Sequence, residues 1–167
     1  MVTGMTRLKR LFFGRNPRRT LIRAAALAAV SYAVFGHVLR PVRVQGISMA
    51  PTLVDGTIHL VNLAAYWRNE PQRGDMVAVE MPGRRAYYMK RVLGLPGEQV
   101  GFAEGQLLVN GEPMAEPYLA ARGDWNMGTQ PVPEGHYFIA GDNRLTSFEG
   151  HTLGFVETRR IAGRLWR

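Results

Sequence analysis

Residues 21–39 read Leu-Ile-Arg-Ala-Ala-Ala-Leu-Ala-Ala-Val-Ser-Tyr-Ala-Val-Phe-Gly-His-Val-Leu, apolar around nearly the whole circumference of any helix they form. As a helix, this run reaches about 28 Å, close to the hydrocarbon thickness of a bilayer. That divides the chain into a tail on one side of a membrane and a body on the other. Arg23 lies near one end, where its long side chain snorkels to the headgroups. Basic residues crowd the N-terminal flank, so the tail is expected in the cytoplasm and the body outside. A cleaved signal peptide shares this order of basic and apolar regions, but His37-Val38-Leu39-Arg40-Pro41 lacks a small-x-small cleavage pattern. A buried core helix is the other reading, but an Ala-rich run that is apolar all round favours contact with lipid or another helix. The expected organisation is a basic tail over 1–20, a transmembrane anchor over 21–39 and an extracytoplasmic domain over 40–167.

The net charge of +8 suggests nucleic acid until its location is considered. Residues 1–39 carry Arg7, Lys9, Arg10, Arg15, Arg18, Arg19 and Arg23 and no acid. The other 14 basic residues face all 13 acids in residues 40–167, so the body is nearly neutral and nucleic acid is not an expected partner. No cysteine is present, which excludes disulfides and thiolate metal sites. His37, His59, His136 and His151 show no metal-ligand spacing with acids, so neither metal nor cofactor is expected.

After Pro41 the chain breaks into short alternating or apolar runs punctuated by Gly, Pro and Asn. Residues 42–45, 57–63, 75–81 and 86–93 read as strands. Residues 98–103 and 106–109 form a hairpin across Glu104-Gly105, and Asn110-Gly111 makes a second tight turn. Residues 136–140 form a buried strand, 155–165 return to the sheet, and 112–135, rich in Pro, Gly and Ala, form an irregular insertion. No helical period persists beyond the anchor. The fold class is mostly β: a compact antiparallel, barrel-like domain behind one transmembrane helix. Tyr66 and Trp67 adjoin an apolar run and are expected in the core, with a membrane-dipping rim as the alternative.

Two residues draw the chemistry. Ser48 lies in Gly46-Ile47-Ser48-Met49-Ala50-Pro51-Thr52-Leu53, a Gly- and Pro-bounded turn nine residues after the apolar run. Lys90 is the one lysine among residues 40–167, where 13 arginines occur, and it stands directly beside Arg91. Arginine stays protonated in proteins, whereas a buried lysine loses its proton. Strand alternation places Lys90 with Tyr88 and Val92, and Arg91 with Tyr87, Met89 and Leu93. A serine nucleophile needs a base nearby, and lysine serves only when neutral. Moving its pKa from about 10.4 to near 7–8 takes about 4 kcal/mol, which apolar burial supplies when no carboxylate pairs with it.

Four stretches in order resemble the type I signal peptidases, membrane-anchored Ser–Lys endopeptidases that remove signal peptides from exported proteins. They are Ser48-Met49-Ala50-Pro51-Thr52-Leu53, then Arg73-Gly74-Asp75-Met76-Val77-Ala78-Val79. Tyr88-Met89-Lys90-Arg91-Val92-Leu93-Gly94-Leu95-Pro96-Gly97-Glu98 follows, and Gly141-Asp142-Asn143-Arg144 comes last. The resemblance implies that Ser48 is the nucleophile, working through an acyl-enzyme, and that Lys90 is the general base. It implies an oxyanion hole from the Ser48 backbone N–H and a donor two residues earlier. Gly46 occupies that position and offers only its backbone N–H. Ser147 would orient the lysine, with Asp142, Arg144 and Glu149 supporting the site. Where relatives continue x-Asp-Ser-Arg, this chain has Phe148-Glu149-Gly150-His151, which keeps a carboxylate but exchanges serine for glycine and arginine for histidine.

Substrates implied by the resemblance are preproteins cleaved after small residues, with membrane lipid and a secretion translocon nearby and the enzyme in the cytoplasmic membrane. Taken by itself, Asp142 reads as a turn cap or backbone acceptor rather than an aspartic catalyst. Two alternatives are a pilin-type processing peptidase of narrow substrate range and a catalytically silent membrane-tethered β-domain that binds exported chains by strand addition.

Overall fold

The computed structural model describes residues 16–81, 83, 86–147 and 154–166. Two compact units emerge, Met1–Leu39 and Arg40–Arg167. In the first, helix α1 covers Pro17–Ala33 and passes into a π-helical turn at Val34–Val38. Asn16-Pro17, which as a sequence suggests a helix breaker, instead starts the helix. Asn16 caps it by accepting from the Arg19 N–H at 3.4 Å, and proline at the first turn lacks only an N–H that the helix leaves unpaired anyway. Pro17–Val38, 22 residues of mean hydropathy 1.6, is long and apolar enough to cross a membrane.

The second unit is built from β1 (Leu39–Arg43, whose first residue closes the other unit), β2 (Ile58–Asn62), β3 (Met76–Glu80), β4 (Tyr87–Gly94), β5 (Gln99–Ala103), β6 (Gln106–Val109), β7 (Glu112–Pro113), β8 (Met127–Pro131), β9 (His136–Ala140), β10 (Gly154–Glu157) and β11 (Ile161–Leu165). These form two antiparallel sheets. One has seven strands in the order β1-β2-β11-β3-β4-β9-β10 and the other four in the order β7-β6-β5-β8. The fold is mostly β, as expected. The 112–135 insertion is less irregular than its composition suggests, because it contributes β7 and β8 to the smaller sheet. Strand β1 also starts three residues earlier than alternation indicates.

Register decides which side chains meet on the larger sheet. In the β3–β4 pair, Val77 lies opposite Lys90 and Val79 opposite Tyr88, while Met76 lies opposite Arg91 and Ala78 opposite Met89. Val77, Val79 and Val92 pack on one face with Tyr137, Ile139 and Ile161. Met76, Ala78 and Met89 line the opposite face, against Met49 and Leu53 from the turn that carries Ser48. A third cluster, centred on Phe102, Trp125 and Phe138, joins the smaller sheet to the ends of β4 and β9. Tyr66 is half-buried, its hydroxyl donating to Asp75 Oδ2 at 2.9 Å. Trp67 departs from the core expectation at 68% exposed.

Candidate active site

The Ser48 turn is pinned from below and from the side. Met49 and Leu53 are each 2% exposed and anchor it in the core. Within the turn Ala50 N–H donates to Ile47 O at 3.0 Å and Leu53 N–H to Met49 O at 2.9 Å. This leaves Ser48 half-buried at the surface of the anchored loop. The segment after β9 holds the turn from the other side: Asn143 N–H donates to Ser48 O at 3.0 Å and the Asn143 amide to Ile47 O at 3.2 Å.

Lys90 sits in mid-β4, 2% exposed, and lines a cleft of about 480 Å³ together with Ser48, Gly46, Met49, Tyr87 and Tyr88. Burial pushes its amine down to about 8, opposed by the carboxylate of Asp142, which favours the ammonium. Among the described residues no carboxylate forms an ion pair with Lys90. A hollow of about 540 Å³ elsewhere is lined by Asn62, Arg73, Asp75, Arg164 and Trp166. Despite its larger volume it offers neither a serine nor a lysine.

The carboxylate that acts on the lysine is paired with a different cation. Arg91 donates to both oxygens of Asp142, Nε to Oδ1 at 2.8 Å and Nη2 to Oδ2 at 2.6 Å, and its Nη1 reaches Gly74 O at 2.7 Å. Thr52 Oγ1 donates to the same carboxylate. Among the described residues the Asp142 side chain accepts from side chains alone, and neither caps a turn nor takes a backbone N–H. It bridges the nucleophile turn to the strand carrying Lys90, and it does so in a site where Asp142 and Arg91 are each 1% exposed. Arg144 is equally buried and pairs with Glu116.

Gly46 opens the same turn. At φ +90 it holds a conformation that suits glycine, but its N–H donates to Asp55 Oδ1 at 2.8 Å. That donor is committed to a carboxylate, whereas the Ser48 N–H has no acceptor among the described residues. Ser147, in the segment following β9, is exposed. Glu149, with Phe148, Gly150 and His151, lies outside the described residues.

Sequence reading missed Thr52, Arg91, Glu116 and Tyr118 as partners in this region. Thr52 and Arg91 stand inside motifs already singled out. Glu116 and Tyr118 lie in an insertion without periodicity and gave no signal.

Comparison with known proteins follows from this geometry. The family model described as "Signal peptidase, peptidase S26" matches residues 18–166. A signal peptidase I of Bacillus amyloliquefaciens is 37% identical over 158 residues, covering 87% of this chain and 79% of its own. Signal peptidase I T of Bacillus subtilis is 36% identical over 155 residues, covering 84% of this chain and 79% of its own. The crystal structure of a signal peptidase I from Enterococcus faecalis covers 59% of this chain and 98% of its own, at 34% identity and a TM-score of 0.48.

Proposed function

The chain belongs to the signal peptidase family, peptidase S26, and from that premise we propose that it is a membrane-anchored serine endopeptidase removing signal peptides from exported preproteins through Ser48 and Lys90. One observation carries the catalytic assignment. A serine and a buried lysine line one cleft, and burial brings that lysine's amine to about 8. At that value a useful fraction is neutral near physiological pH, as a general base requires.

In the proposed reaction Ser48 Oγ attacks the scissile carbonyl carbon while its proton passes to Lys90 Nζ. The tetrahedral intermediate collapses, the C–N bond breaks, and the ammonium returns the proton to the leaving amine. The signal peptide's acyl group is then on Ser48. Water, deprotonated by Lys90, attacks the ester, and the serine regains its proton as the carboxylate product leaves. The developing oxyanion is assigned to the Ser48 N–H; the Gly46 N–H, held by Asp55, is not assigned to it. Ser147 is proposed to orient the lysine, and Asp142, Arg144 and Glu149 to support the site.

The domain reading follows the same premise: a cytoplasmic tail over 1–20, a transmembrane anchor over 21–39 and a peptidase domain over 40–167 outside the cytoplasmic membrane. Ser48 is nine residues past the apolar run, a reach of at most about 30 Å, which keeps the nucleophile near the bilayer and the translocon's exit. A serine-directed acylating inhibitor is expected to label the wild-type protein at Ser48 and to leave Ser48→Ala unmodified. Equal labelling of both proteins would remove Ser48 as the nucleophile.

A further inference from the structure

The insertion between β6 and β8 reaches into the polar network behind the cleft. Glu116 receives both terminal nitrogens of Arg144, at 2.5 Å and 3.2 Å, with the two side chains 4% and 0% exposed. Tyr118 donates its hydroxyl to Glu116 Oε1 at 2.6 Å and lays its ring against the Arg91 guanidinium, 3.8 Å from Cζ to the ring centroid. The same guanidinium grips Asp142 at two points. The insertion is locked in place at two further positions. Trp125 Nε1 donates to Thr146 O at 2.8 Å, and Gly123 approaches so closely that a Cβ there would stand 2.1 Å from Arg144 O. A contiguous line of contacts thus runs from Glu116 through Tyr118, Arg91 and Asp142 to Thr52 of the nucleophile turn.

We propose that Tyr118, held by Glu116, is a positioning residue for peptide cleavage: its ring fixes the Arg91 guanidinium in its two-point grip, so that the Asp142 carboxylate stays neutralised by Arg91 and aligned on Thr52 rather than drawn to the Lys90 amine. The inference rests on the Ser48–Lys90 reading. A guanidinium is planar, and a ring stacked on its face restricts tilting without competing for its in-plane donors. In a buried site a carboxylate that loses such a partner turns to the next cation available.

The groups around the lysine make the direction of the effect clear. Among the described residues, β4 itself supplies Tyr88 and Arg91, and β3 presents only Val77 opposite Lys90. The cleft that holds Lys90 receives Ser48 from its turn and the cations Arg40 and Arg43 from β1, Asp142 acts on the lysine from the loop after β9, and Tyr118 and Glu116 stand one contact further off, against Arg91 and Arg144. Asp142 is the carboxylate that favours the Lys90 ammonium, and Arg91 is the cation paired with that carboxylate. Loosening Arg91 therefore strengthens the pull of Asp142 and keeps the base protonated to higher pH.

The test uses the full-length protein in phospholipid, with preprotein cleavage followed against pH and folding followed by circular dichroism and thermal melting. Tyr118→Leu is expected to lower kcat about tenfold with little change in KM, and to move the acid limb of kcat/KM upward by about one pH unit. Tyr118→Phe keeps the ring and is expected to keep the wild-type acid limb. Arg91→Lys, which keeps the charge but loses the planar grip, should move the limb in the same direction as Tyr118→Leu. It also answers the question if Tyr118→Leu does not fold. A folded Tyr118→Leu or Arg91→Lys with the wild-type limb overturns the inference. So does a Tyr118→Phe as impaired as Tyr118→Leu, which would assign the effect to the hydroxyl's bond with Glu116 and not to the ring on Arg91. Ser48→Ala and Lys90→Arg run alongside. If either retains cleavage, the dyad reading falls and the inference with it; if both are inactive while Tyr118→Leu behaves as wild type, the inference alone is lost.

Discussion

A lysine that must accept a proton has to be kept away from the water and the carboxylates that would hold that proton in place. Lys90 meets the first condition by burial in mid-strand and the second because Arg91 pairs with the carboxylate that acts on it. Its depressed pKa has a consequence for stability as well as for rate. The folded state releases the proton at about 8 and the unfolded chain near 10.5, so the unfolded state binds more protons between these values and stability rises with pH across that window. Below about 8 the full penalty, about 3 kcal/mol, applies. Lys90→Met is therefore expected to raise the free energy of unfolding by about that amount at pH 7, with the gain fading towards pH 10.5 and activity lost throughout. Guanidinium denaturation at the two pH values measures it. For the wild type, kcat/KM should climb with pH and level off above about 8, and a rate independent of pH between 6 and 9 would contradict the assignment of Lys90 as base.

At the level of elements, the active site is a turn held between two supports. The core takes Met49 and Leu53, while the loop after β9 takes the backbone of Ser48 and Ile47 and the hydroxyl of Thr52. Removing Asp142 leaves a buried guanidinium without its anion, so Asp142→Ala is expected to cost about 3–5 kcal/mol in unfolding free energy. Thr52→Val preserves volume and removes a single charge-assisted hydrogen bond, for a loss of about 1–2 kcal/mol. Denaturant titration of the two variants distinguishes these magnitudes. The central strands were legible in advance because burial of both faces leaves continuous apolar runs in β3 and β9. Strand β8 was hidden: Met127-Gly128-Thr129-Gln130-Pro131 is mostly exposed at the edge of its sheet, where neither alternation nor apolarity is required. The Ser48 and Lys90 motifs were equally legible. Tyr118 and Glu116 were not, because their partners, Arg91 and Arg144, are distant in sequence and meet them only through tertiary packing.

Across the whole molecule, charge and apolarity are segregated rather than mixed: a basic tail, an apolar helix and a nearly neutral β-unit. The proposed topology is open to direct measurement because the chain lacks cysteine. A single cysteine introduced at Thr6 is expected to react with an impermeant maleimide only after the membrane is broken, and one at Arg68 to react in intact spheroplasts. The reverse pattern would invert the orientation. The Ser48 turn follows closely on the end of the helix in sequence, and β4, which carries Lys90, lies in the sheet that β1 joins. The reading stands or falls on one rate: cleavage of a model preprotein by full-length Lys90→Arg in reconstituted membranes, measured beside the wild type. The substitution keeps a cation in mid-β4 but removes the only group in the cleft able to act as a neutral amine. The expected result is cleavage reduced to background in a folded, membrane-inserted protein, and cleavage at the wild-type rate would show that Lys90 is not the base.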